Sequence, residues 1–333
     1  MNLTSRRTPT RRLLTAVLAV AAMTTAACGS TGGGTGDGGG SSYPQRDVQV
    51  IVPYPAGSGI DTTTRAVVDI INKDGDFGQR LQVVNREGGA GVVGTTAVLN
   101  AKPDGYTVGV VPDGPLTLVP QTQEVSYDPT KLTVIEELIA GPIMFVVPDS
   151  SPYATLDDLL ADAQKRPSTI TIGEGPLNYR IPVDVVEDQK AVKFKRVKFD
   201  GDQATTTALL GDNVDVGVMQ LASALPQLSS GKLRAIAIAS PEPVDLAPDI
   251  ATFMSQGVDL QWLAYNHVIA PAGLDDDVKE KLADAWHSAV TSDEFAAAAK
   301  KLGLIPSGVG SEQAAKDLQT KTADAKTFLE LGR

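Results

Sequence analysis

The chain has few residues of the kinds that build disulfides, metal sites or catalytic sets. Its 333 residues include one cysteine, Cys28, and two histidines, His267 and His287. One cysteine excludes an intramolecular disulfide, and two histidines this far apart do not suggest a metal site. The sequence also lacks Gly-x-Ser-x-Gly, His-Glu-x-x-His and Cys/His arrangements. We therefore expect no enzyme, no metal and no cofactor, and a secreted hydrolase is the least favoured function.

Basic residues are also scarce outside the N-terminus. The chain has 29 basic and 40 acidic residues, and four of its arginines lie within the first 27 residues. Without that segment, 25 basic residues face 40 acidic ones, which gives a formal charge near −15. Nucleic acid and anionic membranes are then poor partners. An anionic ligand would need a local site made of backbone N–H groups or one well-placed cation.

The N-terminus has the pattern of an exported lipoprotein. The apolar run 13–22 is shorter than the roughly 20 residues that a membrane-spanning helix needs. It follows two arginine pairs and leads into Thr-Thr-Ala-Ala-Cys28, as in a signal peptide and lipobox. We expect residues 1–28 to be a signal peptide ending at a lipidated Cys28 on the outer face of the cytoplasmic membrane, by Sec or Tat export. Residues 29–42, rich in Gly and Ser, are predicted to form a flexible tether.

From Val48 onward, short β-branched runs alternate with amphipathic segments, which is typical of a parallel sheet flanked by helices. Strands are predicted at 48–52, 81–84, 107–111, 143–147, 170–172, 194–199, 214–218, 233–239 and 265–270. After Pro271 the pattern predicts helices only, at 276–290, 293–302 and 311–329. We expect an α/β protein with a discontinuous first lobe of residues 43–142 plus 263–333, and a second lobe of residues 143–262.

The segment 52–61, Val-Pro-Tyr-Pro-Ala-Gly-Ser-Gly-Ile-Asp, places a glycine-rich turn between a strand and a helix. Free backbone N–H groups and the helix dipole favour a carboxylate or phosphate there, although such turns are also common structural features. The segment matches neither a P-loop nor Gly-x-Gly-x-x-Gly. Asp61 is predicted to be the helix N-cap, accepting from the N–H of Thr63 or Thr64. A second glycine cluster at 85–94 favours ligand contact and close helix packing equally.

Several motifs follow one another in a fixed order: Val52-Pro-Tyr-Pro-Ala-Gly-Ser-Gly-Ile-Asp, Asn85-Arg-x-Gly-Gly-Ala-Gly, Pro103-Asp-Gly-Tyr-Thr, Tyr127-Asp-Pro, Ser151-Pro-x-x-Thr-Leu-Asp-Asp-Leu and Gly231-Lys-Leu-Arg-Ala. Together they resemble the substrate-binding receptors of tripartite tricarboxylate transporters, also called the Bug family. The resemblance covers nearly the whole mature chain. It implies a hinged, two-lobed fold of the periplasmic-binding-protein type (type II). It also implies a monomer that holds a small organic acid in its cleft and delivers it to a large and a small membrane subunit.

The resemblance also implies which residues contact the ligand. In the first lobe these are Asp113 and, from the first glycine-rich loop, Tyr54, Ala56, Gly57, Ser58, Gly59 and Asp61. In the second lobe they are Gly175, Asn178, Tyr179, Arg180, Phe199, Gly201 and Asp202. Pro176 stands where the family has Ser or Thr, and Tyr179 stands where it has His.

Arg180 has two interpretations, a bidentate partner for a distal carboxylate or a solvated surface residue. The identity of the carboxylate stays open. A sensor that presents its ligand to an extracytoplasmic signalling partner is the alternative function.

Overall fold

The computed structural model describes residues 43–175 and 177–331. The predicted signal peptide, Cys28, the predicted tether and Pro176 lie outside the described residues. The strands are β1 (Val48–Val52), β2 (Leu81–Asn85), β3 (Thr107–Pro112), β4 (Leu132–Pro148), β5 (Thr171–Glu174), β6 (Lys195–Lys198), β7 (Val216–Gln220), β8 (Leu233–Ile238) and β9 (Leu263–Pro271).

The helices are α1 (Gly59–Asp74), α2 (Val92–Leu99), α3 (Asp113–Thr117), α4 (Val119–Thr122), α5 (Leu156–Lys165), α6 (Leu177–Lys190), α7 (Asp202–Leu210), α8 (Leu221–Ser229), α9 (Asp276–Val290), α10 (Asp293–Lys301) and α11 (Gly310–Leu331). In the part of the chain that the structure describes, no helix has both the length and the apolar character needed to cross a membrane.

The strands form one mixed sheet in the order β2-β1-β3-β9-β4-β7-β5-β6, with β8 paired to β4. β1 is parallel to β2 and β3, and β5 is parallel to β6 and β7. The long strand β4 joins these two groups, because it pairs with β9 as far as Pro142 and with β7 from Ile143 onward. Strands β4 and β9 therefore connect the two parts of the sheet.

The first half of β4, residues 132–142, is absent from the sequence-based prediction, which placed a strand only at 143–147. The missed half contains two adjacent carboxylates, Glu136 and Glu137, which interrupt the expected apolar pattern. Both are buried, and the pairing with β9 shifts register beside each of them. Their partners, described below, come from the C-terminal part of the chain, which local pattern does not reveal.

Each part of the sheet has its own hydrophobic core. In the first part, Val50 and Val108 pack against Trp286 of α9 and Phe295 of α10. The helical C-terminal segment therefore packs back on an earlier part of the chain. In the second part, a separate cluster surrounds Phe145, with Leu159, Ile172, Val185 and Phe253 among its members.

Helix α11 packs against both parts of the molecule. Near its start, Ala314 and Leu318 join a cluster with Ile51 of β1. Near its end, Ala325 and Leu329 join the cluster around Phe145. The helix therefore runs alongside the two strands that connect the parts of the sheet.

Helices α5 and α1 begin at different kinds of cap. Thr155 is the N-cap of α5, and it forms a capping box with Asp158, whose backbone N–H donates to Thr155 Oγ1 at 3.2 Å. The predicted N-cap Asp61 is wrong, since Ser58 is the N-cap of α1. The helix begins two residues before Asp61, so its carboxylate reaches backward and accepts from the Gly57 N–H at 2.8 Å.

Candidate functional site

A cavity of about 1080 Å³ lies between the two parts of the sheet. Segments that follow β1 and β3 line one side, and segments that follow β5, β6 and β7 line the other. Ile139 of β4 and Ala264 of β9 contribute from the connecting strands. Ligands of open α/β folds bind at the carboxyl ends of parallel strands, and both sides of this cleft are built from such ends.

The structure brings eight of the fourteen predicted site residues together along the cleft: Tyr54, Ser58, Gly59, Asp113, Asn178, Tyr179, Gly201 and Asp202. Six others lie outside its lining: Ala56, Gly57, Asp61, Gly175, Arg180 and Phe199. The first group comes from both sides of the cleft, although its members are far apart in the sequence.

Asp61 lies outside the cleft lining and holds the first glycine-rich loop in place through hydrogen bonds. Its carboxylate is buried and accepts from the N–H of Gly57, from Arg65 Nε at 3.0 Å and from Asn85 Nδ2 at 2.9 Å. Burial opposes ionisation, but these hydrogen bonds hold the pKa of Asp61 below its ordinary value. Because the described donors already occupy this carboxylate, Asp61 positions the loop.

Ser58 and Gly59 present unused hydrogen-bonding groups to the cleft. The Ser58 hydroxyl is buried, makes no capping hydrogen bond to α1 and has no partner among the described residues. The N–H groups of Gly59 and Ile60, in the first turn of α1, have no intrahelical acceptor. The positive end of the α1 dipole is directed at the same place.

Three more helices begin at the cleft on its other side. α6 contributes Leu177 and Asn178, α7 contributes Asp202, and α8 follows Gln220 and contributes Ala222 and Ser223. The Nε1–H of Trp262 donates to the carbonyl of Asn178 at 2.8 Å and fixes the start of α6. The N-termini of α1, α6, α7 and α8 thus place positive partial charge on both sides of the cleft.

Tyr179 and Asp202 form a hydrogen-bonded pair on the second side. The Tyr179 hydroxyl donates to Asp202 Oδ2 at 3.3 Å, and the Gln220 N–H donates to the same oxygen at 3.3 Å. Burial raises the pKa of Asp202 to about 6 against the effect of Ser223, Gln220 and Tyr179. Burial likewise raises the pKa of Tyr179 well above its ordinary value, so its hydroxyl stays protonated and donates.

Asp113 lies beside a buried cation, the ammonium group of Lys321. The Nζ of Lys321, a residue of α11 that is 5% exposed, lies 3.6 Å from Asp113 Oδ2 and 3.0 Å from the Trp262 ring centroid. It also donates to the Leu263 carbonyl. Burial lowers the pKa of Lys321 to about 8, and burial raises the pKa of Asp113 despite this neighbour. Lys321 is not itself a lining residue, and none of the described lining residues is Lys, Arg or His.

Arg180 belongs to a cluster of ion pairs outside the lining. Its Nε donates to Asp184 Oδ2 at 2.8 Å, and Asp184 also pairs with Arg196 at 2.6 Å. The spacing of four residues on α6 brings Arg180 and Asp184 together. The structure therefore gives Arg180 a protein carboxylate as partner.

The remaining residues outside the lining support the loops. Phe199 lies against Gly173, where an added Cβ would lie 2.9 Å from the Phe199 ring. An added Cβ on Gly175 would lie 3.1 Å from the Tyr179 ring, so close packing accounts for this glycine. Gly57 has a φ of 80°, which favours glycine in the turn before α1.

The polar lining residues that the sequence-based prediction missed include Gln220, Ser223 and Asn266. Gln220 is the last residue of β7 and Ser223 follows that strand, so the rule that ligands bind at strand ends could have indicated them. Asn266 lies within β9, opposite Pro112, and local sequence gives no signal for it. In residues 43–175 and 177–331, no three His, Cys, Asp or Glu side chains are grouped as metal ligands.

Comparison with known proteins shows the family of the chain. The model of the tripartite tricarboxylate transporter family receptor matches residues 64–331. A curated relative from Cupriavidus necator, named UPF0065 protein in gbd 5'region, is 26% identical over 86% of this chain and 88% of its own length.

Solved structures show the same fold. A TctC solute binding protein from Polaromonas has a TM-score of 0.76 at 25% identity, over 87% of this chain and 99% of that chain. MatC from Rhodopseudomonas palustris, with bound malate, has a TM-score of 0.72 at 24% identity, over 86% and 99%. The predicted α/β, two-lobed fold of periplasmic binding proteins is confirmed. Because the family model matches residues 64–331, the chain belongs to the tripartite tricarboxylate transporter family of receptors.

Proposed function

We propose that the chain is an extracytoplasmic receptor that captures a small carboxylate-bearing solute in the cleft between its lobes. We further propose that it delivers this solute to the large and small membrane subunits of a tripartite tricarboxylate-type transporter. The observation that supports this most strongly is the set of helix N-termini on both sides of a cleft whose described lining has no basic side chain.

Backbone groups can hold an anion in such a cleft. The N–H groups at the start of α1 and the Ser58 hydroxyl are directed at one place and have no described acceptor there. A carboxylate that accepts from them would satisfy buried donors and would meet the positive end of the helix dipole. This is how a chain with a large excess of acidic residues could bind an anion.

Closure of two lobes over the ligand follows from the same architecture. We propose that residues 43–142 plus 263–333 form the first lobe and residues 143–262 the second. In support, β4 changes its pairing partner between Pro142 and Ile143, and the two parts have separate cores. The connecting strands β4 and β9 would then be the hinge, with α11 packed along it.

A panel of organic acids tests carboxylate binding. The full chain, purified in detergent, would be melted with mono-, di- and tricarboxylic acids, each beside its neutral amide as the matched control. An acid at 100 times its dissociation constant should stabilise the protein by about 2.7 kcal/mol, whereas its amide should have little effect. Equal stabilisation by acid and amide, or none by any acid, would contradict the proposal.

We also propose that lipidated Cys28 anchors the receptor to the outer face of the cytoplasmic membrane. The proposal is based on the sequence around Cys28, which lies outside the described residues. Replacing Cys28 by Ser should move the protein from washed membranes into the soluble fraction. If the variant stayed on the membranes, another anchor would be responsible.

A further inference from the structure

The side-chain charges that line the cleft are all negative in the described structure. Three lining residues are acidic, Asp113, Asp200 and Asp202. Asp113 has Lys321 behind it at 3.6 Å, and Asp200 is exposed to solvent. Asp202 is buried more deeply than Asp200, and no ion pair involves it in residues 43–175 and 177–331. Its negative charge therefore has no described cation to balance it.

The carboxylate of Asp202 is held in place by neutral groups. Tyr179 and the Gln220 N–H both donate to Oδ2, and the Ser223 hydroxyl faces the same carboxyl group. The other oxygen, Oδ1, is buried and has no hydrogen-bond partner among the described residues. A buried carboxylate oxygen without a donor is energetically costly, so a group that fills this place would be favoured.

Position at a helix N-terminus does not by itself account for this oxygen. Asp202 is the first residue of α7, and the helix dipole favours a negative charge there. The dipole, however, supplies no hydrogen-bond donor to Oδ1. Since Asp202 lines the cleft, the missing donor can come from a bound ligand.

Resting on the proposed function, we infer that the ligand carries an ammonium group beside its carboxylate, as an amino acid does, and that Asp202 binds this group from the second lobe. The ligand carboxylate then lies at the start of α1, on the opposite side of the cleft. The two charged groups of the ligand thus bind different lobes, and a ligand that carries both groups stabilises the closed form.

The same residue excludes a different ligand class. A dicarboxylate without an amino group that spans the cleft brings a second negative charge toward Asp202, where neither a lining cation nor a ligand ammonium compensates for it. Like charges brought together at a desolvated position are strongly unfavourable, so they discriminate against the wrong ligand. Asp202 is therefore a specificity-determining residue.

Matched acids test this inference. Calorimetry on the full chain would compare each acid with its 2-amino counterpart: propionate with alanine, succinate with aspartate, and glutarate with glutamate. In the pair that fits the cleft, the amino acid should bind at least about tenfold more tightly. In Asp202→Asn the amino acid should bind about 30-fold more weakly than in the parent, and the preference for it should largely vanish.

Asp188→Asn is the matched control, because it removes one negative charge from an exposed position on α6 outside the cleft lining. It should leave the preference unchanged. Equal or tighter binding of the acids without an amino group would overturn this inference while leaving the proposed function intact. So would an unchanged preference in a folded Asp202→Asn variant. If no acid of either kind binds, the proposed function fails as well.

Discussion

Replacing Gly59 by Pro removes one backbone N–H from the cleft and preserves the helix that carries it. Gly59 is the first residue of α1, and the N-cap Ser58 has φ −65° and ψ 161°. Proline is favoured at the first helical position because the N–H there has no intrahelical acceptor. The residue before a proline prefers extended backbone, as Ser58 has. The substitution therefore isolates the contribution of one N–H group.

The expected loss follows from the donor that is removed. A hydrogen bond to a charged group is worth about 1.5–3 kcal/mol, so the dissociation constant should rise about 10- to 150-fold. The stability of the unliganded protein should be unchanged or rise by about 0.4–1 kcal/mol, since proline restricts the unfolded chain. Loss of affinity without loss of stability is the diagnostic combination.

Gly59→Ala is the control, because it keeps the N–H and its Cβ meets no atom within 4 Å. Calorimetric titration with one stabilising acid measures the affinity of the parent and both variants, and urea unfolding measures their stability. Gly59→Ala should bind within about threefold of the parent. If Gly59→Pro also binds like the parent, or if both variants lose affinity equally, the N–H of Gly59 does not hold the ligand.

Two further predictions concern the buried charges beneath the cleft. Lys321→Ala leaves Asp113 buried without a cation and should lower the free energy of unfolding in urea by about 3–5 kcal/mol. Lys326 is exposed on the same helix, and Lys326→Ala should lower it by less than about 0.5 kcal/mol. Equal losses of stability in the two variants would refute this role of Lys321. Burial raises the pKa of Glu137 to about 8, against a hydrogen bond from Ser307 and with the negative charges of Asp317, Asp113 and Glu136 adding to the effect. The folded protein then keeps a proton that the unfolded chain releases above pH 4.5, so this residue makes stability fall as pH rises from about 4.5 to 8. Between about pH 5 and pH 8, the free energy of unfolding of Glu137→Gln should fall by up to about 4 kcal/mol less than that of the parent. Parallel profiles of unfolding free energy against pH for parent and variant would contradict the assignment.

Most strands and the C-terminal helices could be predicted because each buries an apolar stripe that local periodicity reveals. The first half of β4 could not be predicted, since its carboxylates depend on distant partners. Glu136 accepts from the Gly310 N–H at 2.9 Å and lies 2.8 Å from His287 Nδ1, while Glu137 accepts from Ser307. Such pairs exist only once the chain has folded.

In the cleft, too, local sequence predicted some features and missed those that depend on distant parts of the chain. The glycine-rich turn at 52–61 predicted an anion site that includes Ser58 and Gly59, and the resemblance to the receptor family implied Gly201. The structure places all three in the cleft lining. The ion pair between Arg180 and Asp184 was not predicted, although a carboxylate four residues later on the same helix could have indicated it. Lys321 could not be connected to the cleft from sequence, because only the packing of α11 brings it to Asp113.

The most direct test of the central claim is a crystal structure of the receptor with its tightest-binding acid. The account predicts a ligand carboxylate in the cleft, with oxygens about 2.7–3.2 Å from the Gly59 nitrogen and about 2.5–3.0 Å from Ser58 Oγ. It also predicts that no basic side chain contacts this carboxylate. A carboxylate bound instead to Arg180, or outside the cleft altogether, would contradict the account.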